Sequence, residues 1–239
     1  MELAPTASSM ILVLRSIGYT PESAISDLID NSIFAKSKNI HIDLDWNSGN
    51  PKIAITDDGI GMSEDELVQN MRFGSQSPKI EREKNDLGRF GMGMKSASLS
   101  QARKVTVITK KDNKESLRTW DTDYVVDTNR WELIIPDEFY SKGKDRLENY
   151  NNGTSIVLEN LDKFENKKDE VSKDVFFKTY NTNLSKYLET YFHRFLDNKN
   201  FNIFIGRKKL IAWDPFLEKY SEIHSSGHID DIPYTSYTL

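Results

Sequence analysis

The chain has 239 residues, enough for a sizeable core and for one large domain or one and a half. Its 37% hydrophobic and 29% charged content is that of an ordinary soluble protein, and a net charge of -5 argues against a mainly nucleic-acid-binding surface. The lack of cysteine excludes disulfides and thiolate metal sites and accords with a cytoplasmic address; the apolar run Met10 to Leu14 is too short for a signal region or a membrane span.

Thr20-Pro21-Glu22 predicts a helix start, because threonine can cap, proline suits the first helical position and glutamate complements the positive helix end. The helix is expected to run to about Ala35, packing Ala24, Ile25, Leu28, Ile29 and Ile33, with Asp27 and Asn31 sharing another face. Taken alone, that face reads as a solvated polar surface. Ile40, Ile42, Leu44 and Trp46 alternate with polar residues as in a half-buried strand, and after a turn at Asn47 to Pro51 the residues Ile53 and Ile55 begin the second strand of a hairpin. The alternation carries Asp57 onto the isoleucine face, where a carboxylate is costly without hydrogen-bond donors. A ligand amine and a backbone turn around Gly59 are the two candidates for that donor.

Ser63-x-x-Glu66 has capping-box spacing and predicts a short helix. Between Gly74 and Asp86 the chain is polar without an apolar period and reads as a mobile segment. Six of the twelve glycines fall between Gly59 and Gly93. All but Gly74 form two clusters, Asp57-Asp58-Gly59-Ile60-Gly61-Met62 and Gly88-Arg89-Phe90-Gly91-Met92-Gly93-Met94-Lys95-Ser96. The second opens a predicted helix from Met94 to Leu99, and glycines at a helix start leave outward-facing amides that suit phosphate. A P-loop is rejected because Met94 separates Gly93 from Lys95; a dinucleotide fingerprint fails because Glu64 and Ser96 stand where its third glycine belongs.

The ordered set resembles the GHKL superfamily, the ATPases of gyrase, heat-shock chaperone, histidine kinase and mismatch-repair type. The matching motifs are acidic-x-x-x-Asn at Asp27 and Asn31, Asp-x-Gly-x-Gly at Asp57, Gly59 and Gly61, Gly-x-x-Gly-x-Gly at Gly88, Gly91 and Gly93, and Gly153-Thr154 opening a strand. The stretch Asp86 to Ser98 is most similar to MORC-like and related prokaryotic ATP-binding proteins, and the resemblance is specific from about Tyr19 to Leu161. It implies a Bergerat fold: a two-layer α/β sandwich with a mixed, largely antiparallel sheet, helices on one face, and Mg-ATP between helices and sheet. By position, Asn31 would hold magnesium, Asp57 would accept the adenine amino hydrogen, and Thr154 would support it through water. Gly59 and Gly61 would make room for the base, with Ala35 and Met62 lining its pocket. Gly88, Arg89, Phe90, Gly91, Met92, Gly93 and Met94 would wrap the phosphates, and Lys95 would either add charge or stand in solvent. Asp27 would be the general base, one methylene shorter than the glutamate usual in the family, which implies slow hydrolysis. Asp30 is the alternative carboxylate and reads as structural.

The resemblance further implies an ATP-operated switch. Nucleotide would order the segment between Gly74 and Gly88, the N-terminal segment would cross to another protomer, and a homodimer would close. A DNA-related or anti-phage defence setting follows from the same relatives, with an effector protein or a further domain as partner. A non-hydrolysing nucleotide sensor is the rival reading. A phosphotransfer histidine kinase is disfavoured because the site helix begins at about Pro21, and direct nucleic-acid binding is disfavoured by the acidic charge.

Val105 to Thr109, Leu117 to Trp120 and Ile134-Ile135 are expected to extend the sheet. The charged run Asp162 to Lys173 suggests a boundary, dividing an ATP-binding domain with an N-terminal strap (1–165) from a partial transducer-like segment (166–239). In the latter, Phe177, Tyr180, Leu184, Tyr187, Leu188, Tyr191, Phe195 and Leu196 recur at helical spacing as core packing, and a hairpin turns at Gly206. The family's transducer often supplies a lysine to the terminal phosphate, and Lys208 and Lys209 are present there without fixing which, if either, takes that part; His224 and His228 lack the acidic company of a metal site.

Overall fold

The computed structural model describes residues 5–73, 93–164, 167–217, 222–226 and 234–238. Two helices come first, α1 (Ala7–Arg15) and α2 (Pro21–Phe34). Thr20 caps α2 by accepting from the Ser23 amide, and the Ser23 hydroxyl accepts from the Thr20 amide, closing a capping box. Next come β1 (Asn39–Asp45) and β2 (Lys52–Asp57), paired antiparallel with Ile40 opposite Asp57. The capping box of Ser63 and Glu66 starts α3 (Glu64–Met71), and α4 (Gly93–Gln101) leads into the hairpin of β3 (Lys104–Lys111) and β4 (Lys114–Asp121). The expected strand at Ile134-Ile135 reduces to one bridge between Ile134 and Thr119. Short helices α5 (Thr122–Thr128) and α6 (Lys142–Leu147) precede β5 (Gly153–Glu159).

After β5 the chain forms α7 (Glu170–Phe177), a π-helical segment (Lys178–Asn183), α8 (Leu184–Tyr191), α9 (His193–Leu196), and the strands β6 (Asn202–Ile205) and β7 (Lys208–Lys209). Two further strands, β8 (Glu222–Ser226) and β9 (Tyr234–Thr238), pair with each other, outside the main sheet among the described residues. The seven-stranded sheet has the order β4-β3-β5-β2-β1-β6-β7. Its neighbours are antiparallel except β1 and β6, which run parallel, so the sheet is mixed and largely antiparallel. Through β6, the segment following the charged run hydrogen-bonds directly to β1.

The main core lies between one face of this sheet and the helices, with Ile25, Leu28 and Ile29 of α2 against Ile40, Ile42 and Ile55 of the central strands. The other face is not bare, contrary to the expectation of helices on one face. There Leu147 of α6 packs with Ala54, Ile108 and Val157. Asp43, which alternates with Ile42, is buried and pairs through both carboxylate oxygens with Arg146 of α6.

One sequence expectation changes in detail. Phe176, Tyr180, Leu184, Leu188 and Phe192 are buried, whereas Tyr187, Tyr191 and Phe195 are exposed, so the aromatic stripe is core packing only in part. A row of residues four apart drifts by about 40° per step around an α-helix, and the wider π turn offsets that drift. The N-terminal segment, expected to cross to another protomer, is docked on its own chain. Ala7 and Ile11 are buried, Ser8 bonds to Asn129 after α5, and Arg15 donates to the Leu99 carbonyl of α4 and pairs with Asp162. Among the described residues no helix is long and apolar enough to cross a membrane.

Removing one partner of a buried ion pair strands the other charge. Arg146→Ala is therefore expected to destabilise the fold by about 3 kcal/mol in urea unfolding. Pairing it with Asp43→Leu should recover most of that loss.

Candidate functional site

Helix α2 supplies two functional faces at once. On its outer side the Asn31 side-chain amide donates to the Asp27 carbonyl at 2.8 Å, and the Tyr19 hydroxyl donates to Asp27 Oδ2 at 2.8 Å. Asp30 belongs to the same electrostatic field: burial, then the charge of Asp27, raise its carboxyl to about 6. Tyr191 of α8 faces this pair, its phenol pushed up by burial and then by Asp30. Tyr19 belongs to no motif, and Tyr191 was read only as part of the aromatic stripe, so the sequence pointed neither of them to this site.

On the inner side of α2, Ser32 donates to Asp57 Oδ2 at 2.9 Å, and the Gly59 amide donates to Oδ1 at 2.8 Å. Asp57 sits at the end of β2, opposite Thr154 of β5, and is almost fully buried. Burial outweighs these hydrogen bonds and raises its carboxyl to about 6. The alternation in the sequence placed Asp57 on this face; Ser32, one residue beyond Asn31, carried no signal of its own.

The first glycine cluster lets the chain approach itself closely. A Cβ on Gly59 would come within 2.8 Å of the Ala35 carbonyl oxygen and 2.9 Å of Asp57 Oδ1. Gly61 has φ of 65°, and a Cβ there would overlap the Lys110 carbonyl. At the Cβ positions of these glycines the chain packs on itself, through Ala35, Asp57 and Lys110. Ala35, at the C-cap of α2, is stitched to the loop by the Ile60 amide at 3.0 Å. The loop then reaches β3, where the Met62 amide donates to the Thr109 hydroxyl at 2.8 Å. That hydroxyl donates to the Gly153 carbonyl at 3.1 Å and lies 3.2 Å from the Thr154 hydroxyl. Thr109 thus joins the first glycine cluster to the Gly153-Thr154 motif, and only the β3–β5 register reveals it.

Lys95 does not stand in solvent. It is buried, and its ammonium donates to the carbonyls of Asn70 at 2.6 Å and Arg72 at 2.9 Å, with the Phe73 ring 5.9 Å away. Burial lowers its pKa to about 8. The Trp120 indole donates to the intervening Met71 carbonyl at 2.9 Å. Three consecutive carbonyls at the end of α3 are therefore capped by side chains, the groups a helix C-terminus leaves without partners. Gly88, Arg89, Phe90, Gly91 and Met92, together with the segment from Gly74 onward, lie outside the described residues; Gly93 and Met94 begin α4. A cavity of about 410 Å³ adjoins the loop, lined by Lys36, Asp58, Gly59, Ile60 and the turn Asn149 to Asn152.

Comparison with known proteins gives the same start and an end seven residues earlier than the motif resemblance. A family model described as histidine kinase-, DNA gyrase B-, and HSP90-like ATPase matches residues 19–154. ATPase morc-1 of Caenorhabditis elegans is 36% identical over 110 residues, covering 44% of this chain and 12% of that protein. The chaperone protein HtpG of Rickettsia canadensis is 26% identical over 211 residues, 82% of this chain and 31% of its own length. The DNA mismatch repair protein MutL of Thermosipho melanesiensis is 34% identical over 100 residues, 41% of this chain and 18% of its length. The chain thus spans less than a third of each of these relatives. The matched segment opens at the tyrosine bonded to Asp27 and ends at the threonine opposite Asp57, and the chain belongs to the histidine kinase-, DNA gyrase B- and HSP90-like ATPase family.

Proposed function

We propose that the chain binds Mg-ATP and hydrolyses it slowly to ADP and phosphate. One juxtaposition carries the reading: α2 holds Asp27 and Asn31 outward while its Ser32 donates to buried Asp57, so one helix links a candidate base and metal ligand to a buried acceptor. Asp57 accepts the adenine amino group; a hydrogen bond to a charged acceptor is worth about 1.5 to 3 kcal/mol. Thr154 supports that acceptor, and Ala35 and Met62 line the pocket. Asn31 has its side-chain nitrogen committed to the Asp27 carbonyl, which leaves the amide oxygen for a hard cation. Magnesium suits such a site because it takes few protein ligands and keeps water and phosphate oxygens. Bound Mg-ATP supplies the phosphoanhydride and the ion that neutralises it. Gly93 and Met94 offer amides at the positive end of α4, continuing the part that resemblance gives to Gly88 through Met92. Asp27 takes the proton of the attacking water.

Nucleotide-driven ordering of the segment between Gly74 and Gly88, and closure of a homodimer, make this an ATP-operated switch read by an effector protein or a further domain. The DNA-related defence setting rests on the resemblance to MORC-like proteins. An exchange of N-terminal segments requires α1 to leave its seat on α4 and α5. The division at 165/166 is a proposal about which parts move together, and the sheet runs across it through β6.

Phosphate release measured over a wide range of protein concentration tests the reading. Turnover per protomer should rise with concentration, and Asp27→Ala should lower it by about 10² to 10⁴ with ATP affinity kept. ATP binding without turnover would favour the sensor. Asp57→Ala should weaken binding of a fluorescent ATP analogue by about 10- to 150-fold; unchanged affinity would sink the adenine assignment. Asp57 also makes a pH prediction. Its folded carboxyl, at about 6, lies above the unfolded 3.8, so the folded state holds the extra proton between these values and loses stability as pH rises through that window. Asp57→Asn should therefore raise Tm above about pH 6 and change it little near pH 4. ATP affinity of the unaltered chain should fall as pH drops through the same window.

A further inference from the structure

We propose that Tyr19 is a positioning residue for hydrolysis: its hydroxyl clamps one oxygen of the Asp27 carboxylate and ties it to Ser96 of α4, so that this short acid presents its other oxygen to the attacking water. The inference rests on the reading of Asp27 as general base. Tyr19 has one hydroxyl proton, and it goes to Asp27 Oδ2 at 2.8 Å. The Ser96 hydroxyl, also hydrogen-bonded to the phenol, is then the donor on that side, and its 3.5 Å approach to the Gly93 carbonyl is the weaker use of the same proton. Ser96 is buried three residues into α4, so two hydrogen bonds link the candidate base on α2 to the helix that follows the second glycine cluster.

The tyrosine is held from behind by the chain. Its amide donates to the Ile17 carbonyl at 2.8 Å, and the next residue, Thr20, is the capped start of α2. Burial and the hydrogen bond to Asp27 push the phenol above its usual value, which keeps it a donor near neutral pH. Among the described residues, Asp27 Oδ1 has no hydrogen-bond partner. A carboxylate rotates broadly about its last torsion, so holding one oxygen selects which oxygen faces water. The constraint matters because a misplacement of about 1 Å can cost about a hundredfold in rate. The Tyr19 ring also borders a cavity of about 240 Å³ with Tyr180 and Gln101, so ring packing alone does not set its position.

The test uses the whole chain and Tyr19→Phe, which keeps the ring. The variant should lose about 10- to 100-fold in kcat while KM and the affinity for a fluorescent ATP analogue stay within about twofold. Added to Asp27→Ala it should cost nothing more, because both changes remove one interaction. In nucleotide-free protein carrying 3-fluorotyrosine at position 19, the fluorine resonance should move on Asp27→Asn and on Ser96→Ala. Full turnover in Tyr19→Phe, an equal loss in the Asp27→Ala background, or a fluorine resonance indifferent to both substitutions would each overturn the proposal. If the unaltered chain binds ATP without turnover, the reading of Asp27 as base fails and takes the proposal with it. Turnover in the unaltered chain that survives Tyr19→Phe overturns Tyr19 alone.

Discussion

A carboxylate buried at the end of β2 must be given donors, and the junction between α2 and the sheet is arranged to give them. Ser32 comes from the helix and the Gly59 amide from the loop that leaves the strand. That amide can approach only because residue 59 has no side chain, since the C-cap of α2 occupies the place where a Cβ would stand. The same C-cap receives the Ile60 amide, so helix, strand and loop lock in one register around Asp57. Even so, burial dominates and leaves the carboxyl raised. Such an acceptor gains more from a further N–H donor than a solvated one would.

The outer face of α2 shows the opposite balance, carboxylates competing with one another. Asp27 and Asp30 lie close enough for the charge of one to raise the other, and Tyr191 of α8 stands over them. A helix that would otherwise present an ordinary polar face therefore presents one whose groups are coupled. α8 brings Tyr191 into that field, and the π turn before it keeps a single row of large side chains in the core. Without that turn the row from Phe176 to Phe192 would wind away from the sheet.

Lys95 illustrates how a cation is spent on architecture. Its ammonium closes the end of α3 jointly with Trp120. Burying an ammonium costs free energy, as its lowered pKa records, and carbonyl oxygens of a helix C-terminus are among the few uncharged partners that offset the cost. Thr109 performs a similar service with a neutral group, gathering the Met62 amide and the Gly153-Thr154 motif at one oxygen.

What could be read from the chain alone were the elements whose causes are local. The start of α2 at Thr20-Pro21, the β1–β2 hairpin, the capping box at Ser63, the helix after Gly93 and the strand at Gly153 each follow from caps, alternation or turn residues. The ordered motifs also sufficed for the family and for the mixed, largely antiparallel sheet. Tertiary structure alone decided which side chains meet. Ser32 finds Asp57 across 25 residues, Thr109 finds Thr154 across 45, and Lys95 finds Asn70 across 25. The reason is physical: caps and periodicity act within a turn or a strand pair, whereas a buried polar group takes whatever partner packing and register bring near, and no local pattern records that partner.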